Sequence, residues 1–201
     1  MKLFHAAASP FVRKCLVAAI ELGIRDRIEL VPAAAHPVNR DANVVARNPL
    51  GKIPTLITDD GLVLYDSRVI CDYLNSQGNG SLVPRNATER MRVLTRQSLA
   101  DGVMDAAVLT RYETFARPEA LRWNDWITGQ LAKVHSGLDA LEGEVASYGD
   151  RIDLGTIAFA CALGYLDFRF ASLGWRDARP NTAAWFEWFH GRDSMMETRP
   201  A

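Results

Sequence analysis

The sequence has few cysteines, and none of them lies in a spacing typical of a cross-link or a metal site. Its 201 residues include Cys15, Cys71 and Cys161, which are odd in number, far apart and outside any Cys-x-x-Cys pair. A disulfide framework or a zinc site is therefore not indicated. The four histidines are also scattered along the chain, so we expect no metal. Free thiols in apolar helical contexts suit a reducing compartment, and we expect the protein to be cytoplasmic.

The sequence also lacks an excess of charge of one sign and a long apolar run. Its 23 basic and 24 acidic residues give a formal net charge of -1, and no stretch gathers either sign. We therefore expect no nucleic-acid partner and no membrane partner. The most apolar run, 157–166, is too short to cross a bilayer. The first residues do not have the pattern of a secretory signal, which agrees with a cytoplasmic location.

Two patterns of local structure divide the chain. The first part alternates strands with helices in the order βαβ-α-ββα. Strands are predicted over 2–6, 27–31, 53–58 and 62–65, and helices over 9–22, 40–47 and 66–77. The first strand, helix and second strand suggest a parallel βαβ unit, and Asp59-Asp60-Gly61 predicts a hairpin turn. After the Gly-Asn-Gly-Ser stretch at 78–81 the pattern is helical throughout.

The helical part predicts four long helices, over 86–115, 119–146, 153–172 and 182–191. We therefore predict a mixed α/β domain over 1–78, a linker over 79–85 and an all-α domain over 86–201. Asp153 and Thr156 stand at the start of the most apolar helix, and we interpret them as a structural cap.

Three short motifs carry the functional signal. Ser9-Pro10-Phe11-Val12-Arg13-Lys14 follows the first strand, Asn48-Pro49-Leu50-Gly51-Lys52-Ile53-Pro54 precedes the third, and Asp66-Ser67 follows the fourth. In this order they resemble the glutathione S-transferase family, and the likeness covers essentially the whole chain. It is closer to small bacterial members with serine at the active position. The resemblance implies a thioredoxin-like first domain, glutathione as co-substrate, a homodimer and a role in detoxification.

Ser9 is the residue to which the resemblance assigns catalysis. A free thiol titrates near ~8.5, so a protein that uses glutathione as a nucleophile must favour the thiolate. A hydroxyl at a helix N-terminus can donate to that sulfur, and the helix end adds partial positive charge. The alternative is that Ser9 is only the N-cap before Pro10.

The resemblance implies that Phe11 also contacts glutathione and that the other two motifs hold the rest of the peptide. The resemblance implies a cis Ile53-Pro54 bond, with the Ile53 backbone pairing with the cysteinyl part of glutathione. Lys52 would reach the glycyl carboxylate, although a solvated lysine explains it as well. Ser67 suits the γ-glutamyl carboxylate, and Asp66 its ammonium group. The family commonly has Glu or Gln at position 66, and a plain helix cap is the alternative for both residues.

The second substrate is expected between Phe11 and the first helix of the all-α domain. Met104, Val108, Arg111 and Tyr112 recur on one face of that helix. Such a stripe also suits a core, and that interpretation stays open. The Arg111–Tyr112 pair would suit an acidic or aromatic electrophile.

These residues predict a transferase in which the glutathione thiolate attacks a small hydrophobic electrophile. Two alternatives keep the fold. One is a glutathione-dependent thiol/disulfide reductase, which needs a thiol at position 9; Cys15, six residues further on, is a poor substitute. The other is a non-catalytic interaction module, which the fold alone does not exclude.

Overall fold

The chain folds into two compact units in a computed structural model that describes residues 1–200. One unit comprises Met1–Arg90 together with the residues from Asp193 onward, and the other comprises Met91–Arg192. The last helix of the chain therefore belongs to the first unit. The domain boundaries expected from the sequence, 1–78 and 86–201, stay a prediction.

The first unit is built on a four-stranded mixed sheet. Its strands are β1 (Lys2–His5), β2 (Glu29–Pro32), β3 (Thr55–Ile57) and β4 (Val63–Leu64), in the spatial order β2-β1-β3-β4. β1 pairs parallel with β2 and antiparallel with β3, and β4 pairs antiparallel with β3. The predicted βαβ unit and the predicted hairpin are both confirmed. The thioredoxin-like α/β fold class is therefore correct.

Residues 1–200 contain eight α-helices. They are α1 (Pro10–Glu21), α2 (Ala42–Val45), α3 (Ser67–Gln77), α4 (Ala87–Phe115), α5 (Asn124–Glu144), α6 (Leu154–Arg169), α7 (Pro180–His190) and α8 (Asp193–Glu197).

Helices α1 and α3 pack closely beside the sheet. The Cys15 and Cys71 sulfurs lie 3.8 Å apart, and both side chains are fully buried. The Cys15 sulfur also lies 3.9 Å from the carbonyl oxygen of Ser67. The start of α3 is thus held against the second turn of α1.

Helix α8 was not predicted from the sequence. Arg13 of α1 donates to the Met195 carbonyl at 2.9 Å and to the Thr198 hydroxyl at 3.3 Å. The Ser194 hydroxyl donates to Glu21 at 2.5 Å. This short segment is stabilised by contacts with α1, far away in the sequence, and an isolated helix of five residues would not form.

The second unit is all-helical, as predicted, with α6 buried along most of its length. The prediction of one helix over 119–146 is wrong at its start. Residues 119–121 form a separate 3-10 turn, and the Glu113 carboxylate accepts a hydrogen bond from the Trp123 backbone at 2.9 Å. This hydrogen bond fixes the backbone at Trp123, the residue that directly precedes the start of α5 at Asn124.

The predicted boundaries of the last two long helices also shift. α6 ends at Arg169 rather than 172, because a 3-10 turn and the left-handed Gly174 follow it. α7 begins at Pro180, two residues earlier than predicted. Proline suits the first position of a helix, because the N–H that it lacks would have no partner within the helix there.

No helix within residues 1–200 is long and apolar enough to cross a membrane. In the same part of the chain, no three His, Cys, Asp or Glu side chains are grouped so that they could hold a metal ion.

Candidate functional site

The three motifs lie at the same end of the sheet because of how the strands pair. Ser9 follows the C-terminal end of β1, and Ile53-Pro54 precedes the N-terminal end of β3. Phe4 pairs with Thr55 in an antiparallel ladder, so these two ends are neighbours. β4 is antiparallel to β3, so its exit towards Asp66-Ser67 lies at that end as well. The topology thus gathers the three sequence motifs in one unit.

Ser9 is the N-cap of α1. It is half-buried and extended in backbone conformation, and its hydroxyl oxygen accepts a hydrogen bond from the Val12 N–H at 3.3 Å. That distance is beyond the usual range for an N–H···O bond, so the capping contact is weak. A hydroxyl that accepts this bond keeps its own hydrogen to donate. The Ser9 hydroxyl can therefore cap the helix with its oxygen and, at the same time, donate its hydrogen to a neighbouring anion.

The loop before β3 is shaped by two buried polar side chains. The Asn48 amide donates to the Lys52 carbonyl at 3.0 Å and to the Thr55 hydroxyl at 3.1 Å. The Thr55 hydroxyl donates to the same carbonyl at 2.9 Å. The Ile53-Pro54 peptide bond in this loop is cis, as the family resemblance implies. The Lys52 side chain is exposed and makes no hydrogen bond or ion pair with residues 1–200.

We expect Asn48→Ala to weaken glutathione binding about tenfold or more by loosening this loop. The substitution leaves the buried Thr55 hydroxyl and the Lys52 carbonyl with fewer partners, which costs about 1–3 kcal/mol of stability. Calorimetric titration with glutathione and urea unfolding measure the two effects. Asn43→Ala, at an exposed position of α2, is the matched control and should change neither. Unchanged affinity in Asn48→Ala would show that the loop does not contribute to the site.

The third motif combines an exposed and a buried residue. Asp66 is the N-cap of α3, and its carboxylate accepts a hydrogen bond from the Arg68 N–H at 2.9 Å. Ser67 is the first residue of α3 and is buried. Its hydroxyl makes no hydrogen bond with the described residues 1–200. The cap interpretation of Asp66 is confirmed, and Ser67 retains a free hydroxyl at a helix N-terminus.

The residues predicted to bind the electrophile differ in how much they are exposed. Met104 is fully buried in the second unit, which favours its core interpretation. Val108, Arg111 and Tyr112 are half-buried on the same helix. Burial raises the pKa of the Tyr112 phenol. Phe11 is half-buried in the first unit, and a pocket shared with it stays a prediction.

The sequence analysis assigned no role to Tyr165 and Arg169, which lie four residues apart on α6. Tyr165 is almost fully buried, and burial raises its pKa to about 12. The charges of Arg169, Tyr112 and Arg111 also act on its ionisation. The spacing of four between Tyr165 and Arg169 was the available signal, since it places both on one face of a helix.

Asp153 and Thr156 form the predicted structural cap at the start of α6. The Thr156 N–H donates to the Asp153 carboxylate, and the Asp153 N–H donates to the Thr156 hydroxyl, both at 2.9 Å. A threonine hydroxyl thus completes the reciprocal box that a carboxylate usually completes.

Comparison with known families agrees with this geometry. Residues 8–77 match the model for the glutathione S-transferase N-terminal domain, and residues 124–187 match the model for its C-terminal domain. The chain is 38% identical over 204 residues to the uncharacterized GST-like protein YibF of Escherichia coli (strain K12), covering all of this chain and 98% of YibF. It is also 27% identical over 180 residues to human elongation factor 1-gamma, covering 86% of this chain but only 40% of that protein.

Solved structures give the same result. A glutathione transferase family member from Pseudomonas fluorescens Pf-5 with bound glutathione is 48% identical, with a TM-score of 0.97 over all of this chain and 98% of that one. A structure of a Pf-5 family member with bound S-(propanoic acid)-glutathione is 46% identical, with a TM-score of 0.92 over the full length of both chains. Both family models, matched in order along one chain, and full-length relatives at these identities lead to one conclusion: the chain belongs to the glutathione S-transferase family.

Proposed function

We propose that this protein is a glutathione transferase in which Ser9 stabilises the glutathione thiolate for attack on a small electrophile. Glutathione lies along the sheet end, with its cysteinyl part against Ile53 and its γ-glutamyl group at Asp66-Ser67. Binding both reactants side by side supplies proximity. We further propose that the protein acts in the cytoplasm as a homodimer.

The observation that carries this proposal is the convergence of Ser9 with the other two motifs at one end of the sheet. Ser9 and Ser67 each present a hydroxyl at a helix N-terminus there, where anions are favoured. Of the three anionic groups of bound glutathione, the thiolate and the γ-glutamyl carboxylate suit these two positions. The relative that binds S-(propanoic acid)-glutathione, a sulfur-substituted glutathione, supports conjugation at sulfur.

Two measurements test the proposal. Calorimetric titration should detect glutathione binding at millimolar ligand or below, and conjugation of 1-chloro-2,4-dinitrobenzene should exceed the uncatalysed rate. Absence of glutathione binding would exclude an enzyme that uses it. Binding without turnover of this electrophile or of a panel of enals and alkyl halides would contradict a transferase.

A second candidate is an interaction module without catalysis. The likeness to elongation factor 1-gamma favours it, because that relative is named as an elongation factor and not as a transferase. The two candidates differ in whether glutathione turnover occurs. Retention of all three motifs supports the enzyme.

The reductase alternative fits less well. Position 9 is a serine, and the Cys15 sulfur is fully buried against Cys71 and the backbone of Ser67. A nucleophilic thiol needs access to its substrate and a stabilised thiolate. Cys15 has no such access, so we expect no reduction of a mixed glutathione disulfide.

A further inference from the structure

A buried arginine connects the start of α1 to the last helix of the chain. The Arg13 side chain donates to the Met195 carbonyl at 2.9 Å and to the Thr198 hydroxyl at 3.3 Å. All three residues belong to the first unit, and Arg13 is only 4% exposed. A buried guanidinium requires such acceptors, because it cannot lose its charge. The segment that contains α8 therefore fixes the Arg13 side chain in place.

A second contact joins the same two helices near the other end of α1. The Ser194 hydroxyl donates to the Glu21 carboxylate at 2.5 Å, and the Ser194 carbonyl accepts from the Thr198 hydroxyl at 2.7 Å. Ser194 and Met195 are both buried. Arg13 and Glu21 lie about 12 Å apart along α1, at 1.5 Å per residue. The segment with α8 thus contacts α1 near both of its ends.

The same arginine also holds the backbone of Ser9. The Arg13 N–H donates to the Ser9 carbonyl at 3.0 Å, and the Ser9 N–H donates to the Ala6 carbonyl at 3.0 Å. The contact between the Ser9 hydroxyl and the Val12 N–H is longer, at 3.3 Å, and therefore weaker. The place of the hydroxyl thus depends more on where the first turn of α1 lies than on its own capping contact.

The Ser9 hydroxyl must be placed accurately if it is to donate to a thiolate. Hydrogen bonds weaken steeply when their geometry departs from the ideal. A misplacement of about 1 Å at a reacting group can cost about 100-fold in rate. α1 has 12 residues, and a helix of about that length is marginal without tertiary contacts. The contacts with α8 therefore influence the first turn of α1 and, through it, the Ser9 hydroxyl.

We propose that Arg13 is a positioning residue, which is anchored by α8 and sets the place of the Ser9 hydroxyl relative to the glutathione sulfur. This inference rests on the proposed function, because it concerns the same thiolate site. Arg13 acts through Ser9 and not by contact with glutathione. The role extends to α8, a helix that the sequence analysis did not predict.

The test measures the glutathione thiol and the glutathione peptide separately in the full chain. The ultraviolet absorbance of the bound thiolate against pH gives the pKa of the bound thiol. Calorimetry gives the Kd of S-methylglutathione, which has the same peptide but no ionisable thiol. Arg13→Lys keeps the positive charge but loses the planar fork that reaches two acceptors. We expect it to raise the pKa of the bound thiol by about one, a change of about tenfold in acidity, and to leave the Kd within about twofold.

Three further variants make the test specific. Ser194→Ala leaves Arg13 unchanged and removes the other contact with α1, so it should raise the pKa of the bound thiol by a smaller amount. Glu197→Gln changes an exposed residue of α8 and should leave that pKa unchanged. In a Ser9→Ala background, Arg13→Lys should have no further effect on it, because residues that act through one another are not additive.

Urea unfolding shows which variants are folded, and Ser194→Ala provides the test if Arg13→Lys is not. A folded Arg13→Lys or, failing that, a folded Ser194→Ala with the wild-type pKa of the bound thiol would overturn this inference and leave the proposed function intact. An equal rise of that pKa with and without Ser9 would also overturn it, because Arg13 would then act on the thiolate independently. A wild type that does not lower the pKa of bound glutathione would overturn the proposed function, and this inference with it.

Discussion

Replacing Ser9 with alanine is expected to lower kcat/KM for conjugation about 10- to 100-fold. The lost interaction is a charge-assisted hydrogen bond from a hydroxyl to a thiolate, worth about 1.5–3 kcal/mol. The same loss should raise the pKa of the bound glutathione thiol by about one to two. The ultraviolet absorbance of the bound thiolate, followed against pH, measures this change independently of turnover.

The weak capping contact of Ser9 makes a sharper control possible. Asp is as good an N-cap as Ser, but a carboxylate has no proton to donate and repels a thiolate. Ser9→Asp should therefore keep the unfolding free energy close to that of the wild type and lose more activity than Ser9→Ala. Ser9 would be only a cap if Ser9→Asp retained full activity and if the activity that Ser9→Ala loses were explained by its lower free energy of unfolding.

Replacing Asp153 with alanine is expected to cause the largest loss of stability, about 3–5 kcal/mol. Its carboxylate caps α6 and also forms an ion pair with Arg96 at 3.2 Å. Both side chains are nearly buried, at 4% and 11% exposure, so alanine leaves the Arg96 charge without its carboxylate partner. Breaking a buried pair costs about 3–5 kcal/mol. Urea unfolding, followed by circular dichroism and by fluorescence, measures the effect.

Two further variants separate the roles of Asp153. Asp153→Asn keeps a good cap and removes only the ion pair, so it should cost less than alanine. Thr156→Val removes the reciprocal hydroxyl and should cost about 1 kcal/mol. Equal stability of Asp153→Ala and Asp153→Asn would mean that the cap contributes nothing and that the ion pair with Arg96 accounts for the loss.

Local signals of the sequence were sufficient wherever the relevant contact is short-range. Ser9-Pro10 marks the start of α1, and Asp66 and Asp153 mark the starts of α3 and α6, because a cap acts within one helical turn. The hairpin turn that ends at Gly61 could also be predicted, because a tight turn depends only on its own few residues. Helix ends that depend on a partner outside the helix could not be predicted in this way. The start of α5 is an example, because the preceding residue, Trp123, donates to Glu113 of α4.

The sequence by itself determined the order of strands and helices up to α7, the capping residues and the three motifs that identify the family. These features depend on neighbours along the chain. Only the tertiary structure decided that the motifs share one end of the sheet, because antiparallel pairing of β1 with β3 is a long-range contact. It also decided that Cys15 is buried and that Arg96 of α4 pairs with Asp153 at the start of α6. Burial and charge pairing depend on which helices pack together, and a one-dimensional pattern does not contain that information.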